Sequence, residues 1–441
     1  MKTLFISLGC DKNLTDSEVM LGLLASEGYE MTNDETKADI IVINTCCFIH
    51  DAKEESIQNI LDMAEYKKTG KLKALVVTGC LAERYRQEIL DEIPEVDAVL
   101  GTTAYDKIIE AIQSALEGKA TVTMESLKAL PMTDIKRQIT TGGHFAYLKI
   151  AEGCDKHCTY CIIPKIRGGF RSVPMERLLK EAKELADQGV KELILVAQET
   201  TLYGKDLYGK KSLHRLLKEL CKISGIYWIR LMYCYPEEIY DELIQVMKEE
   251  PKICHYLDLP IQHASDDILK RMGRRTSKQE LTDIIAKLRK EIPDICIRTT
   301  LITGFPGETQ QQHEELYRFV NEMEFDRLGV FTYSPEEDTP AVKMPGQVEE
   351  EVKEDRQAEL MELQQEIAFE AAENMAGREV LVMIEGKVAD EAVYVGRTYR
   401  DAPNVDGLIF VETGEELISG DFAKVKITGA LEYDLIGGLV E

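Results

Sequence analysis

Residues 1 to about 120 alternate short apolar runs with amphipathic stretches at a spacing that leaves little choice of fold. Thr3–Leu8 is followed by a helical pattern at 14–27, Asp39–Ile43 by one at 50–67, Ala74–Val77 by one at 81–92, and Ala98–Leu100 by one at 104–117. Strand, helix, strand, helix predicts an α/β domain with a parallel sheet and right-handed crossovers. Three of these strands run into a cysteine, in the stretches SLGC, INTC and VTGC that place Cys10, Cys46 and Cys80. Ligands of an open parallel sheet collect at the carboxyl ends of its strands, so thiols 36 and 34 residues apart in sequence can converge there. A buried cysteine at a strand end also serves as a small hydrophobe. Three in succession, two of them behind a glycine that permits close backbone approach, favour a shared ligand. Cys47 points to the other side of an extended chain from Cys46 and is read as structural.

A longer series of the same kind follows. Strands are expected near 145–150, 192–197, 227–232, 255–259, 295–302 and 328–333, with helical stretches at 176–188, 212–222, 237–249, 266–272, 278–291 and 310–323. Repeated strand-plus-helix units suit a partial or complete β/α barrel, whose active site lies at the C-terminal ends of its strands. Between the two series, 121–143 lacks sustained periodicity, contains Pro131 and ends Thr-Thr-Gly-Gly, which reads as a connector. Residues 346–376 carry Val348, Val352, Leu360, Leu363, Ile367 and Phe369 among many glutamates and stop at Gly377, a linking helix with a glycine end. From 377 to 441 the pattern changes to short alternating runs bounded by Gly, Pro and Asp, which predicts a small antiparallel β-barrel. The organisation expected is therefore 1–120, connector 121–143, barrel 144–345, helix 346–376 and terminal barrel 377–441.

The most specific motif follows the first strand of the second series: EGCDKHCTYC over 152–161, with Cys154, Cys158 and Cys161. Offsets of four and three let one compact loop present three thiolates to one inorganic centre. A structural zinc site takes four protein ligands, and His157, directly beside Cys158, is awkwardly placed as the fourth. An iron–sulfur cube held by three cysteines keeps one iron open for a substrate or cofactor. Eleven cysteines, an odd number behind a start too short in apolar residues for a secretory signal, argue against a disulfide framework. Cys221, Cys234, Cys254 and Cys296 show no ligand spacing and are assigned to packing.

CxxxCxxC with Tyr160 before its last cysteine resembles the signature of radical S-adenosylmethionine (SAM) enzymes. That resemblance implies a 4Fe–4S cluster on Cys154, Cys158 and Cys161 whose open iron is chelated by SAM and which cleaves it reductively. Paired with the three strand-end cysteines, the chain resembles the methylthiotransferases, which implies a second, auxiliary 4Fe–4S cluster on Cys10, Cys46 and Cys80. The C-terminal barrel is similar to the TRAM domain of these enzymes, so the resemblance covers essentially the whole chain. SLGCDKNLTDSE at 7–18, NTCCFIHDAKEES at 44–56, LPIQHASDDILKRMGR at 259–274 and GRTYRDAPNVDG at 396–407 are similar to the ribosomal-protein branch, the RimO type. Members of that branch attach a methylthio group to the β-carbon of an aspartate in the small-subunit ribosomal protein of the decoding centre. Cys47 stands where that branch usually has glycine, and Cys46 is taken as the ligand. The family chemistry also implies two SAM molecules, one methyl donor and one radical source, and an electron donor such as flavodoxin or ferredoxin.

Charge points the same way. The chain carries 53 basic and 79 acidic side chains, a net of −26, and its last 64 residues carry 6 basic and 13 acidic, a net of −7. Such a surface repels phosphate backbones on average and attracts basic proteins, so nucleic acid is not the primary partner expected. Lys165, Arg167, Arg171, Arg271, Arg274 and Arg275 are the residues available for a local basic mouth. Hydrophobic content of 44% excludes whole-chain disorder, and no apolar run reaches 18 residues, so the chain is read as cytoplasmic with no membrane partner.

The resemblance also implies a wall for SAM. Gln198, Glu199 and Thr200 end one barrel strand, and Gly304 and Gly307 lie in ITGFPGE after another, where a plain turn is the simpler reading. Arg298 suits the cofactor carboxylate by its bidentate geometry, with an ordinary barrel salt bridge as its bland alternative. Gln262 and His263 fall at the active face, and a lone histidine there is more often hydrogen-bonded in place than a base. Two rivals remain: a methylthiotransferase acting on a tRNA adenosine, and a non-catalytic iron–sulfur scaffold or electron carrier.

Overall fold

The computed structural model describes residues 1–131 and 136–440. Residues 132–135 of the expected connector, and Glu441 of the expected terminal barrel, lie outside the described residues.

The N-terminal sheet contains β1 (Lys2–Ser7), β2 (Glu30–Met31), β3 (Ile40–Thr45), β4 (Ala74–Gly79), β5 (Ala98–Leu100) and β6 (Thr121–Thr123), in the order β2-β1-β3-β4-β5-β6. Every pairing is parallel. The central strands β3 and β4 are buried along their whole length, because helices cover both faces of the sheet. The two outermost strands were not legible as strands: runs of two and three residues are too short to show a period, and β6 falls in the stretch read as connector. The expected helix 81–92 is two helices, Cys80–Tyr85 and Gln87–Glu92, broken at Arg86 with φ +47°.

The middle unit opens with β7 (Phe145–Lys149). A two-residue antiparallel pair, β8 (Ala151–Glu152) with β9 (Arg171–Ser172), then brackets the cysteine loop. The remaining strands are β10 (Glu192–Val196), β11 (Trp228–Leu231), β12 (Ile253–Asp258), β13 (Cys296–Thr303) and β14 (Arg327–Thr332). The six long strands form one parallel sheet in the order β14-β13-β12-β11-β10-β7, without pairing between β14 and β7: a partial barrel. Outward side chains such as Leu193, Leu195, Ile229, Leu257 and Leu301 pack under the surrounding helices. Inward ones, including Phe145, Tyr147, Ile194, Trp228 and Tyr256, form a separate cluster inside.

After the long helix Glu350–Glu373, Gly377 turns the chain with φ +83° into a closed five-stranded barrel. Its strands are β15 (Glu379–Lys387), β16 (Val393–Thr398), β17 (Ile409–Glu412), β18 (Phe422–Leu431) and β19 (Asp434–Leu439). It is not wholly antiparallel: β17 and β19 pair in parallel, because the last hairpin, β18–β19, folds back so that its second strand closes the ring.

This terminal barrel is bolted to the amino-terminal end of the middle one. Glu192, at the start of β10, accepts from Arg230 Nε at 2.7 Å and from Arg397 Nη2 at 2.8 Å, and all three are fully buried. Arg230 also donates to the carbonyl of Tyr399 at 2.6 Å, and the Trp228 ring meets Phe422 edge-on at 4.9 Å. Glu192→Ala would strand two buried guanidinium groups, a loss of about 3–5 kcal/mol. The expected outcome is a lower urea midpoint in the fluorescence of Trp228, the single tryptophan of the chain, which sits at this contact.

Candidate active site

The first thiol group is gathered by backbone. Gly9, after β1, has φ +87°, and a Cβ there would lie 2.7 Å from Cys46 Cβ and 3.0 Å from its sulfur. Gly79 has φ +94°, and its Cβ would lie 2.6 Å from the carbonyl of Thr45. Glycine is thus required on both sides of Cys46. The Cys46 amide donates to Ser56 Oγ at 3.0 Å, and the same hydroxyl donates back to the Cys46 carbonyl at 2.8 Å. Burial, then Cys80, then Cys10 push the Cys46 thiol up to about 12. The Cys80 thiol is raised by burial and by Cys10 against the opposing Arg167 guanidinium. The three sulfurs therefore share one locality. Cys47 turns into the apolar core with Ile41, Ile43 and Val77.

The second group sits on the loop between β8 and β9. Gly153 has φ +75°, and its Cβ would lie 2.5 Å from the Gly168 carbonyl, which accepts from the Cys154 amide at 3.0 Å. The far side is tied by Thr159, whose amide donates to the Met272 carbonyl at 2.9 Å and whose hydroxyl donates to that of Arg271 at 2.8 Å. Burial first, and neighbouring groups including Cys158, push the Cys154 thiol up to about 12. The Cys161 thiol is raised by burial and then by Cys158 and Cys154. His157 is exposed beside these sulfurs. The Tyr160 ring packs edge-on to Phe305 at 6.5 Å.

One guanidinium joins the two groups. Arg167, fully buried, donates to Asp16 Oδ2 at 2.9 Å, Glu152 Oε2 at 3.2 Å and the Cys80 sulfur at 3.5 Å, and also to Asn13 Oδ1. Lys149 adds a contact to Asp16 and donates to Glu152 at 2.8 Å. Asp16 and Asn13 lie on helix α1 (Asp11–Ser26), immediately after Cys10, while Glu152 is two residues before Cys154. The loop after β11 also reaches both groups: Tyr233 donates to Asp11 at 3.2 Å and lies close enough to Cys10 to feel it, and Tyr235 feels Cys158 and Cys154.

The remaining expected residues divide. Gln198 donates to Glu152 Oε1 at 3.0 Å, leaving its own buried Oε1 without a partner. Glu199, raised by burial to about 8, accepts from the Thr201 amide at 3.0 Å and keeps Oε2 buried and unpaired. The Thr200 hydroxyl is spent on the Met232 carbonyl at 2.8 Å and on the Cys234 sulfur at 3.2 Å, so it holds the strand ends together. Arg298 is not free for a cofactor carboxylate: it pairs with Asp258 at 3.0 Å and with Asp406 of the terminal barrel at 3.4 Å. Gly304 and Gly307 owe their conformations to packing, since a Cβ at Gly304 would meet the side chain of Lys353 and one at Gly307 the guanidinium of Arg271. His263 is buried and held at about 3 by desolvation, its Nδ1 accepting from the Ser265 amide at 2.9 Å, so it is no general base. Of the expected basic mouth, Arg167 and Arg274 are buried in ion pairs instead, Arg274 with Glu237 at 3.4 Å. Asn13, Asp16, Tyr233 and Tyr235 were missed. The available signal was the density of polar residues on the first turns of α1, which are buried rather than solvated.

Cysteine sulfurs are soft donors of the kind that iron–sulfur clusters take, and the unpaired acceptors beside Cys154 fit a ligand carrying an amino group.

The Radical SAM superfamily model matches residues 148–320, the TRAM domain model 376–440, and the model of Uncharacterized protein family UPF0004 2–101. Over 437 residues the chain is 67% identical to the ribosomal protein uS12 methylthiotransferase RimO of Lachnoclostridium phytofermentans, covering 99% of each chain. The chain belongs to the RimO family of radical SAM methylthiotransferases. The RimO of Clostridioides difficile is 49% identical over 440 residues, which are 100% of this chain and 99% of that one. Among solved structures, the radical SAM methyltransferase TsrM of Kitasatospora setae aligns with a TM-score of 0.56 at 12% identity, over 77% of this chain and 76% of that one, which shows the shared fold.

Thiols raised by burial must shed their protons before they bind iron, so uptake releases protons and strengthens as pH rises. Adding ferrous iron and sulfide to the apo-protein is expected to acidify a weakly buffered solution, and iron affinity to climb through the neutral range into the alkaline. A pH-independent affinity would contradict this electrostatic account.

Proposed function

We propose that this RimO-family chain adds a methylthio group to the β-carbon of an aspartate in ribosomal protein uS12. In this reading Cys154, Cys158 and Cys161 hold the radical-generating 4Fe–4S cluster, and Cys10, Cys46 and Cys80 hold the auxiliary one. The observation that carries it is the meeting of the two thiol groups at one seam, joined through Arg167. When bound, the clusters and SAM supply hydrogen abstraction from an unactivated carbon and the sulfur and methyl group to be installed.

The chain supplies placement. Gln198 Oε1 and Glu199 Oε2, buried acceptors without partners, are suited to the amino group of SAM. Tyr160 and Phe305 make an aromatic wall beside the radical-site sulfurs. The Asp16, Lys149, Glu152 and Arg167 network keeps the auxiliary site fixed relative to the radical site. The electron comes from an external carrier such as flavodoxin or ferredoxin. No helix among the described residues is long and apolar enough to cross a membrane, which accords with a cytoplasmic place of action. The burial of Arg167 and Arg274 in ion pairs leaves fewer cations for phosphates, and this weighs against a tRNA substrate.

Cys154→Ala is expected to abolish reductive SAM cleavage, while Cys10→Ala keeps cleavage and stops methylthiolation of uS12, each losing about half of the iron. Anaerobic reconstitution with iron analysis, 5′-deoxyadenosine assay and mass spectrometry of uS12 reads all three. Equal behaviour of the two variants would refute the division of labour, and an unmodified uS12 with wild-type enzyme would refute the substrate.

A further inference from the structure

The seam holds one cation, Lys12, without an ion-pair partner among the described residues. Lys12 is only 6% exposed, and its ammonium stands 3.2 Å from the centroid of the Tyr233 ring. Among the described residues no carboxylate lies within ion-pair distance of it, and the neighbouring Asp11 carboxylate is taken by the Tyr233 phenol at 3.2 Å. The other buried lysine, Lys353, shows the usual arrangement: it pairs with Glu350 at 2.7 Å and donates to the Tyr333 carbonyl at 3.1 Å. Arg167, Arg230, Arg298 and Arg397 all meet carboxylates as well. An ammonium on a recessed side chain without a carboxylate partner is costly, and a ring face offsets only part of that cost.

The ring beneath it is held in place at some strain. Tyr233 has φ +59°, and its amide donates to Asp258 Oδ2 at 3.0 Å. Strain of this kind persists where the surroundings fix it, and it clusters at ligand sites. The position is also the functional one. Lys12 is two residues from Cys10, and Tyr233 is two residues from Tyr235, which feels the radical-site sulfurs.

We infer that Lys12, seated on Tyr233 between the two thiol groups, binds the carboxylate of the target aspartate and so selects aspartate over its amide. The assignment rests on the methylthiotransferase reading above. A cation beside the carboxylate fixes the side chain through a charge-assisted hydrogen bond and presents the adjacent methylene to the seam, where an amide side chain would leave the charge unmet.

The test uses reconstituted holoenzyme with uS12 and with uS12 carrying asparagine at the target position. Wild type is expected to bind the aspartate form about ten- to hundred-fold more tightly. K12M is expected to bind both forms equally, at the asparagine level, with unchanged iron content and SAM affinity, and K12R to recover part of the preference. A preference for aspartate preserved in K12M overturns the assignment. A fall in iron content or SAM affinity with that preference intact also overturns it, and makes the ammonium a countercharge for cluster or cofactor. If K12M does not fold, wild type decides: equal affinity for the two forms overturns the role of Lys12 while methylthiolation of uS12, read by mass, leaves the parent reading intact. Absence of that mass increment with wild type overturns both.

Discussion

The buried guanidinium of Arg167 is the contact on which the working geometry depends. It and Lys149 face Asp16 and Glu152, so two cations meet two anions with little water near them. Such a set adds little net stability over an apolar filling, because desolvation consumes most of the attraction, yet removing one member leaves an uncompensated charge. Its value is orientation. Asp16 comes from the first α/β unit, whereas Lys149, Glu152 and Arg167 come from the start of the partial barrel. The ions are satisfied in one docking geometry, and that geometry sets the Cys80 sulfur against the same guanidinium that binds the residue two before Cys154. Chemistry shared between two centres is sensitive to displacements of about 1 Å, which makes a rigid joint more useful than a strong one.

The opposite end of the partial barrel is closed. The segment 396–407 enters at the amino ends of the strands, where Asp401 pairs with Arg327, Asp406 pairs with Arg298 at 3.4 Å, and the Thr398 and Tyr399 carbonyls accept from Arg230. The basic residues of this segment are consumed as well, Arg397 by Glu192 at 2.8 Å and Arg400 by Asp326 at 2.5 Å. The terminal barrel thus uses its charge to seal the amino-terminal end, and the carboxyl ends of the strands, where the thiols gather, are left to face the first unit.

What the sequence showed and what it hid follow from the range of the interactions. The long strands of both sheets are legible because each is a local apolar run, and the positions of Cys10, Cys46 and Cys80 after three of them because each ends such a run. Arg298 was assigned to a cofactor for its bidentate geometry, and Gly304 and Gly307 because they follow a barrel strand. Their true partners, Asp406, Lys353 and Arg271, are 108, 49 and 36 residues away, respectively. No local pattern announces an ion pair or a steric partner at that separation. The parallel closure of β17 on β19 is hidden for the same reason: alternation identifies a strand but not the neighbour that completes its ring.

The N-terminal thiols are gathered by backbone. Cys10, Cys46 and Cys80 come from three different strand ends, and the sheet register that aligns Thr45 with Gly79, together with the Leu8 amide donating to the Asn44 carbonyl at 2.9 Å, fixes those ends. Gly9 and Gly79 then let the chains approach closely enough for the sulfurs to interact. This is the reverse of a small zinc module, in which the metal organises an unfolded chain and its binding energy is folding energy. Here the apolar strands β3 and β4, buried along their whole length, fix the strand ends independently of any ligand. Burial holds the proton on the Cys80 thiol, and Arg167, in contact with that sulfur, works against the proton at the same time as it fixes the joint.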